Sequence, residues 1–173
     1  MSENDVLNLL FYECKNVSEL SDKELELLIS EVLSFEDVPC ALRELYRRSP
    51  ETAFSLAKEI VEKGKGDEFL QGATMDIIFE YESEYVINFV KDNISKINYY
   101  VYACILDCFA VESKQPFSEN LSHEFLEMLV NKYNEYAMEE KKKIEDKYNF
   151  FVESYKFKFI KPKKQIRSRL SLV

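Results

Sequence analysis

Apolar residues recur along this chain at spacings of three and four, the period of an α-helix packed on one side. Val6, Leu7, Leu10 and Phe11 form the first such stripe, with Cys14 a turn further on. Ser21-Asp22-Lys23-Glu24 reads as a capping box, in which serine and the glutamate three residues later satisfy free backbone donors at a helix start. It opens a helix with Leu25, Leu28, Ile29, Val32 and Leu33 on one face. Pro39 restarts the chain into Ala41, Leu42, Leu45 and Tyr46, and Ser49-Pro50 is the cap-plus-first-turn signature of another helix. That helix carries Ala53, Phe54, Leu56, Ala57, Ile60 and Val61, and Gly64 is expected to stop it. Asp67 opens the next (Leu70, Ala73, Ile77, Tyr81), Ser83 another (Val86, Ile87, Phe89, Val90), and Asn98 another (Val101, Tyr102, Ile105, Phe109). Ser122 is expected to cap a longer helix carrying Phe125, Leu129, Val130, Tyr133 and Ala137, ahead of an almost wholly charged run from Glu139 to Lys147. Beyond Ile144, Tyr148, Phe151, Val152, Tyr155 and Phe159 keep helical spacing, yet Tyr155, Phe157 and Phe159 also alternate with Lys156 and Lys158 as in a strand. Helix is expected to about Ser154, with the following residues open between the two.

Aligned with itself, the chain shows a repeat. Residues 50–63 match residues 83–96 at an offset of 33, pairing Leu56 with Phe89, Ala57 with Val90, Lys58 with Lys91, Glu59 with Asp92 and Lys63 with Lys96. The following helices match at an offset of 30, pairing Ala73 with Ala103 and Phe79 with Phe109, and the three extra residues fall in the Gly64-Lys65-Gly66 linker. A fainter earlier copy sets Ala41 against Ala73 and Leu45 against Ile77. A small residue at a fixed place in the second helix of each pair is expected to let the two helices of a hairpin approach closely. The fold class that follows is all-α: stacked antiparallel helical hairpins, about eight or nine helices, in one domain over residues 1–160. Residues 161–173 are expected to form a basic, flexible tail.

Composition narrows the function more than the fold. A chain of 173 residues with three glycines and four prolines can bury one core and has few of the residues that make hairpin turns between strands. The formal charge is −9, but Lys161, Lys163, Lys164, Arg167 and Arg169 stand in the tail with no acid, so the remainder carries −14. Such a field repels a phosphate backbone and draws basic surfaces, which excludes nucleic acid as the expected partner of the folded part. Four scattered cysteines make no disulfide framework, the N-terminus lacks a signal-peptide pattern, and no window is apolar enough to cross a bilayer. A cytoplasmic protein with no membrane partner is expected.

Catalytic equipment is sparse. The single histidine, His123, follows a helix cap, no serine or cysteine sits in a nucleophile motif, and Gly64-Lys65-Gly66 lacks the third glycine of a phosphate loop. Cys104 and Cys108 share a helical face but have no second pair of ligands at zinc spacing, and read as small buried filler. No enzyme, cofactor or metal is expected. Acids do cluster at the boundary between the two best repeats (Asp67, Glu68, Asp76, Glu80, Glu82, Glu84, Asp92), interleaved with Phe79, Tyr81, Tyr85, Tyr99, Tyr100 and Tyr102. Tyrosines bury a large rigid area while presenting a hydroxyl, as at the centres of protein interfaces. The expected partner-binding residues are therefore Glu68, Asp76, Glu80, Tyr81, Glu82, Glu84, Tyr85, Tyr99, Tyr102 and Asp107.

Over residues 39–112, the hairpins with Ala73/Ala103 and Phe79/Phe109 at matched positions resemble short HEAT-like repeats. An acidic, tyrosine-rich, cysteine-reduced chain of this size also resembles the helical-repeat immunity proteins of bacterial toxin systems, including contact-dependent inhibition. The resemblance implies an inhibitor that binds a cognate basic toxin domain, a nuclease in many such systems, one-to-one as a monomer in the cytoplasm; the basic tail departs from a purely acidic inhibitor. The competing expectation is a non-enzymatic scaffold or adaptor subunit. An enzyme built on paired carboxylates and an added metal ranks third.

Overall fold

The computed structural model describes residues 16–31 and 37–159, so the stripe at Val6–Phe11, the positions Val32 and Leu33, and the basic tail lie outside the described residues. Among the described residues there are ten α-helices and no strand: α1 (Asp22–Glu31), α2 (Asp37–Arg48), α3 (Pro50–Glu62), α4 (Glu68–Tyr81), α5 (Ser83–Asn93), α6 (Tyr99–Val111), α7 (Pro116–Glu119), α8 (His123–Glu135), α9 (Met138–Ser154) and α10 (Lys156–Phe159). A 3₁₀ turn at Val17–Glu19 precedes α1.

The helix boundaries fall where the local chemistry puts them. Glu24 accepts from the Ser21 backbone N–H at 2.8 Å and the Ser21 hydroxyl from Glu24 N–H at 3.4 Å, closing the capping box. Gly64, at φ 61°, ends α3; the next N–H reaches back to Ile60 O at 2.8 Å, satisfying carbonyls that a terminating helix leaves free. Asp67, Asn98 and Ser122 cap α4, α6 and α8 through their side chains. At Ser49 the hydroxyl instead pairs with Thr52 Oγ1 at 2.8 Å, and Pro50 alone marks the start. The helix expected to run to Ala137 stops at Glu135. Tyr136 and Ala137 are extended, the Tyr136 hydroxyl donates to Ile97 O at 2.8 Å, and Glu140 accepts from the Ala137 N–H to open α9. The charged run from Glu139 to Lys147 lies inside α9, and the ambiguous 155–159 stretch is a turn and a short helix.

The hairpins stack in two layers. α2, α4, α6 and α9 lie side by side; α1 packs on α2 and α3, α3 on both α2 and α4, α5 on α4, and α8 on α9. The repeat is therefore physical, and Phe79 meets its counterpart Phe109 edge-on at 5.1 Å. Phe109 is fully enclosed, also meeting Phe125 at 5.4 Å, and burial of a ring this size contributes roughly 1.5–3 kcal/mol. The expectation about small residues needs correcting by one position. Ala41 is buried, but Ala73 and Ala103 are only half-buried, and the tight approach occurs at Gly72. A Cβ there would stand 2.7 Å from Tyr100 Cδ1 and 2.9 Å from Cys104 Sγ. The close seam thus joins α4 to α6, second helices of successive hairpins. One hydrophobic core runs continuously from Leu20 to Tyr155.

Candidate functional site

Because α2, α4, α6 and α9 are covered from one side only, each keeps an outward stripe at helical spacing: Cys40 and Arg43; Phe69, Ala73, Asp76 and Glu80; Tyr100, Cys104, Asp107 and Val111; Lys143, Lys147 and Phe150. The acids come from the two central helices and are answered by cations from the outer ones. Arg43 donates to Glu80 at 2.8 Å and stands 3.8 Å from Asp76, while Lys147 pairs with Asp107. Asp76 also accepts from the Cys108 thiol at 3.2 Å. These ion pairs are exposed, with the Asp76 and Glu80 side chains 58% and 55% accessible, so each contributes little to stability and is easily exchanged for another cation.

Between the C-terminal halves of α4 and α6 the stripe deepens into an open groove of about 700 Å³. Asp76, Glu80, Asp107 and Glu112 line it with Arg43, and Phe79, Val111 and Phe117 supply its apolar part. Val111 is 62% exposed, and Glu112 has no ion-pair partner among the described residues. At the other end of the face, Phe69 is 52% exposed against the Tyr100 ring. Glu68 accepts from the Tyr99 hydroxyl at 3.2 Å, and Lys143 covers the Tyr99 ring at 5.0 Å.

The residues expected from the sequence to bind a partner divide among several places. Asp76, Glu80 and Asp107 share the groove, and Glu68 with Tyr99 lies at the opposite end of the same two helices. Tyr81 and Tyr85 belong elsewhere, stacked and edge-on against Phe54 of α3 at 4.5 and 5.9 Å, with Lys58 over the Tyr85 ring. The Tyr85 hydroxyl donates to Glu62 beside a separate cleft between α3 and α5; burial first, then that bond, pushes its pKa up. Glu82 is the residue joining α4 to α5, and Glu84 borders a cleft toward α8. Tyr102 is a correction: its ring is fully enclosed and its hydroxyl donates to Leu129 O at 2.8 Å, so it joins α6 to α8 and presents nothing to a partner. Arg43, Phe69, Val111, Glu112 and Lys147 complete the outward face and were not among the expected residues. Phe69 and Val111 stand one or two turns from Asp76 and Asp107 on the same stripe, a signal that helical spacing carries.

Cys108 is buried and Cys104 half-buried; burial, followed by the charge of Asp76, raises both thiols, Cys104 to about 11. Such thiols stay protonated at neutral pH and are poor nucleophiles. His123 Nε2 lies 3.0 Å from Glu127 without hydrogen-bond geometry, beside the Phe159 ring and outside the lining of the groove. Among the described residues no group of three or more His, Cys, Asp or Glu side chains could hold a metal ion, and no helix is long and apolar enough to cross a membrane. Comparison of the chain with protein-family profiles, curated proteins and solved structures finds no match.

Proposed function

We propose that this protein is a non-enzymatic, immunity-type inhibitor, a cytoplasmic monomer that neutralises a basic toxin domain by binding it one-to-one on the outward face of α4 and α6. The observation that carries the reading is the convergence of Asp76, Glu80, Asp107 and Glu112 on one groove beside exposed Val111. Arginine or lysine side chains of a partner would replace Arg43 and Lys147 as counter-ions, exchanging one exposed pair for another, while Val111 and Phe69 lose water. Affinity then comes from the apolar contacts, and the acids supply orientation and fast encounter. The formal charge of −14 outside the basic tail supports steering of a cationic domain.

Co-expression with the product of the neighbouring gene provides the test. The parent chain should protect cells, and the combined Asp76→Lys, Glu80→Lys and Asp107→Lys variant should bind at least tenfold more weakly. The same reversal at Glu84, which faces a different cleft, should leave binding intact. Protection by the triple variant equal to the parent would refute the surface assignment. A scaffold or adaptor role is the second reading, favoured by the Phe54, Tyr81 and Lys58 patch, which lies apart from the groove and leaves Tyr81 41% exposed. Replacing Tyr81 with Ser would break a complex built on that patch and spare one built on the groove.

A further inference from the structure

The free chain already shows what its outward face accepts. On α4, Asp76 and Glu80 take the guanidinium of Arg43, which arrives from α2; on α6, Asp107 takes the ammonium of Lys147, which arrives from α9. Both cations reach in from the flanks, so the acids stay at least partly open to solvent above. The Cys108 thiol, donating to Asp76 at 3.2 Å, steadies one of the carboxylates. The groove between the two acidic walls is lined by exposed Val111 with Phe79 and Phe117. Read across the helices, the complement of this surface is a cation, an apolar side chain and a second cation. Spacing narrows the occupant further. Packed neighbours such as α4 and α6 have axes roughly 8–10 Å apart, which sets the gap between acids on their outward stripes. A helix returns to the same face after seven residues, a rise of about 10.5 Å. Same-face residues of a strand stand about 6.6 Å or about 13 Å apart, short of the gap or beyond it.

We propose that the groove receives a short α-helix of the partner lying across α4 and α6, with cations two turns apart on one face and an aliphatic side chain between them, over Val111. One cation meets Asp76 and Glu80, the other Asp107 and Glu112. Arg43 and Lys147 then act as internal competitors that set the threshold for binding. A lone cation only exchanges one exposed pair for another, and the apolar contact tips the balance. The identity of the partner rests on the inhibitor reading; the shape and charge of what the face accepts do not.

Synthetic alanine-rich peptides of about 18 residues, long enough to hold a helix in water, serve as probes in calorimetric titrations of the full chain. The first carries arginine at i, leucine at i+3 and i+4, and lysine at i+7. The second has the same composition with the lysine moved to i+5, round the side of the helix, and the third carries a proline between the two cations. The first should bind at least tenfold more tightly than either of the others, and the preference should disappear in the combined Asp76→Lys, Glu80→Lys and Asp107→Lys variant. Equal affinities for the three peptides would overturn the proposal, and tighter binding of the proline peptide would give the face to an extended segment and overturn it as well. Arg43→Gln and Lys147→Gln should each bind the first peptide several-fold more tightly than the parent. Arg47→Gln removes the same charge from an exposed pair with Glu44 and should change little; an equal gain there would reduce the effect to net charge and overturn the competitor role. Self-association of the chain alone, lost in the combined variant, would place a second copy on the face and overturn the proposal equally. A basic domain that is bound while the peptides go undiscriminated would leave the inhibitor reading standing and remove this proposal. Discrimination among the peptides with no basic domain bound would do the reverse.

Discussion

Gly72 offers the sharpest internal test, because two effects of known size oppose each other there. Alanine in mid-helix is favoured over glycine by roughly 1 kcal/mol, so on propensity alone Gly72→Ala should stabilise α4. The structure reverses the sign. The new Cβ would lie 2.7 and 2.9 Å from Tyr100 Cδ1 and Cε1 and 2.9 Å from Cys104 Sγ, well inside contact distance. The Tyr100 ring, half-exposed and flanked by Phe69 at 5.3 Å, can swing outward by part of the required distance. Cys104 is seated on α6 itself, so the seam must open. Overpacking of this kind costs typically 1–3 kcal/mol, leaving a net loss of about 1 kcal/mol after the propensity gain. Urea unfolding of parent and variant measures it. A background of Tyr100→Ala and Cys104→Ala removes the obstructing atoms, and there the same change should be neutral or stabilising. Stabilisation by Gly72→Ala in the parent background would refute the close α4–α6 seam.

Other residues make independent predictions. Tyr102→Phe removes one buried hydrogen bond, but Leu129 O stays within the ladder of α8. The loss should be about 1 kcal/mol, read as roughly 2–4 °C in Tm, with partner affinity unchanged. The hydrogen bonds from Lys63 and then Lys65 hold the Glu59 carboxyl at about 2, below its ordinary 4.5. A carboxylate depressed on folding contributes stability above its unfolded pKa and loses it as pH falls through the folded one. The stability gap between parent and Glu59→Gln should therefore be constant above about pH 5, narrow on acidification and close near pH 2; a gap independent of pH would contradict the pairing. In native protein carrying Cys14→Ser, a thiol reagent at pH 8 should modify exposed Cys40 quickly, half-buried Cys104 slowly, and buried Cys108 only on unfolding.

Periodicity and caps made most of the architecture legible. Ser21, Asp67, Asn98 and Ser122 act through side chains that reach only three residues, and Gly64 through its own backbone, so their meaning survives without knowledge of the fold. The break at Tyr136-Ala137 was hidden, since it contains neither glycine nor proline and depends on a tyrosine hydroxyl finding Ile97 O, 39 residues away. Only Glu140, three residues past Ala137, left a local trace of the new helix start. For the surface, charge was readable and its partition was not. Glu80 and Glu84 are four apart, yet Glu82 breaks the helix between them, at φ −149°, and sends the two acids to different clefts. Tyr102 and Tyr99 lie on one helix three residues apart, and only the approach of α8 decides that the first is enclosed. The cations that answer the acids, Arg43 and Lys147, arrive from helices distant in sequence, beyond the reach of any local pattern.

The central claim is that a basic partner is received on the outward face of α4 and α6. Hydrogen exchange of the chain, free and saturated with a basic domain of the proposed kind, tests this most directly. The account predicts added protection over residues 69–80 and 104–117, weakening as salt is raised. Protection centred instead on residues 54–62 and 81–89, with the groove amides exchanging as in the free chain, would contradict it.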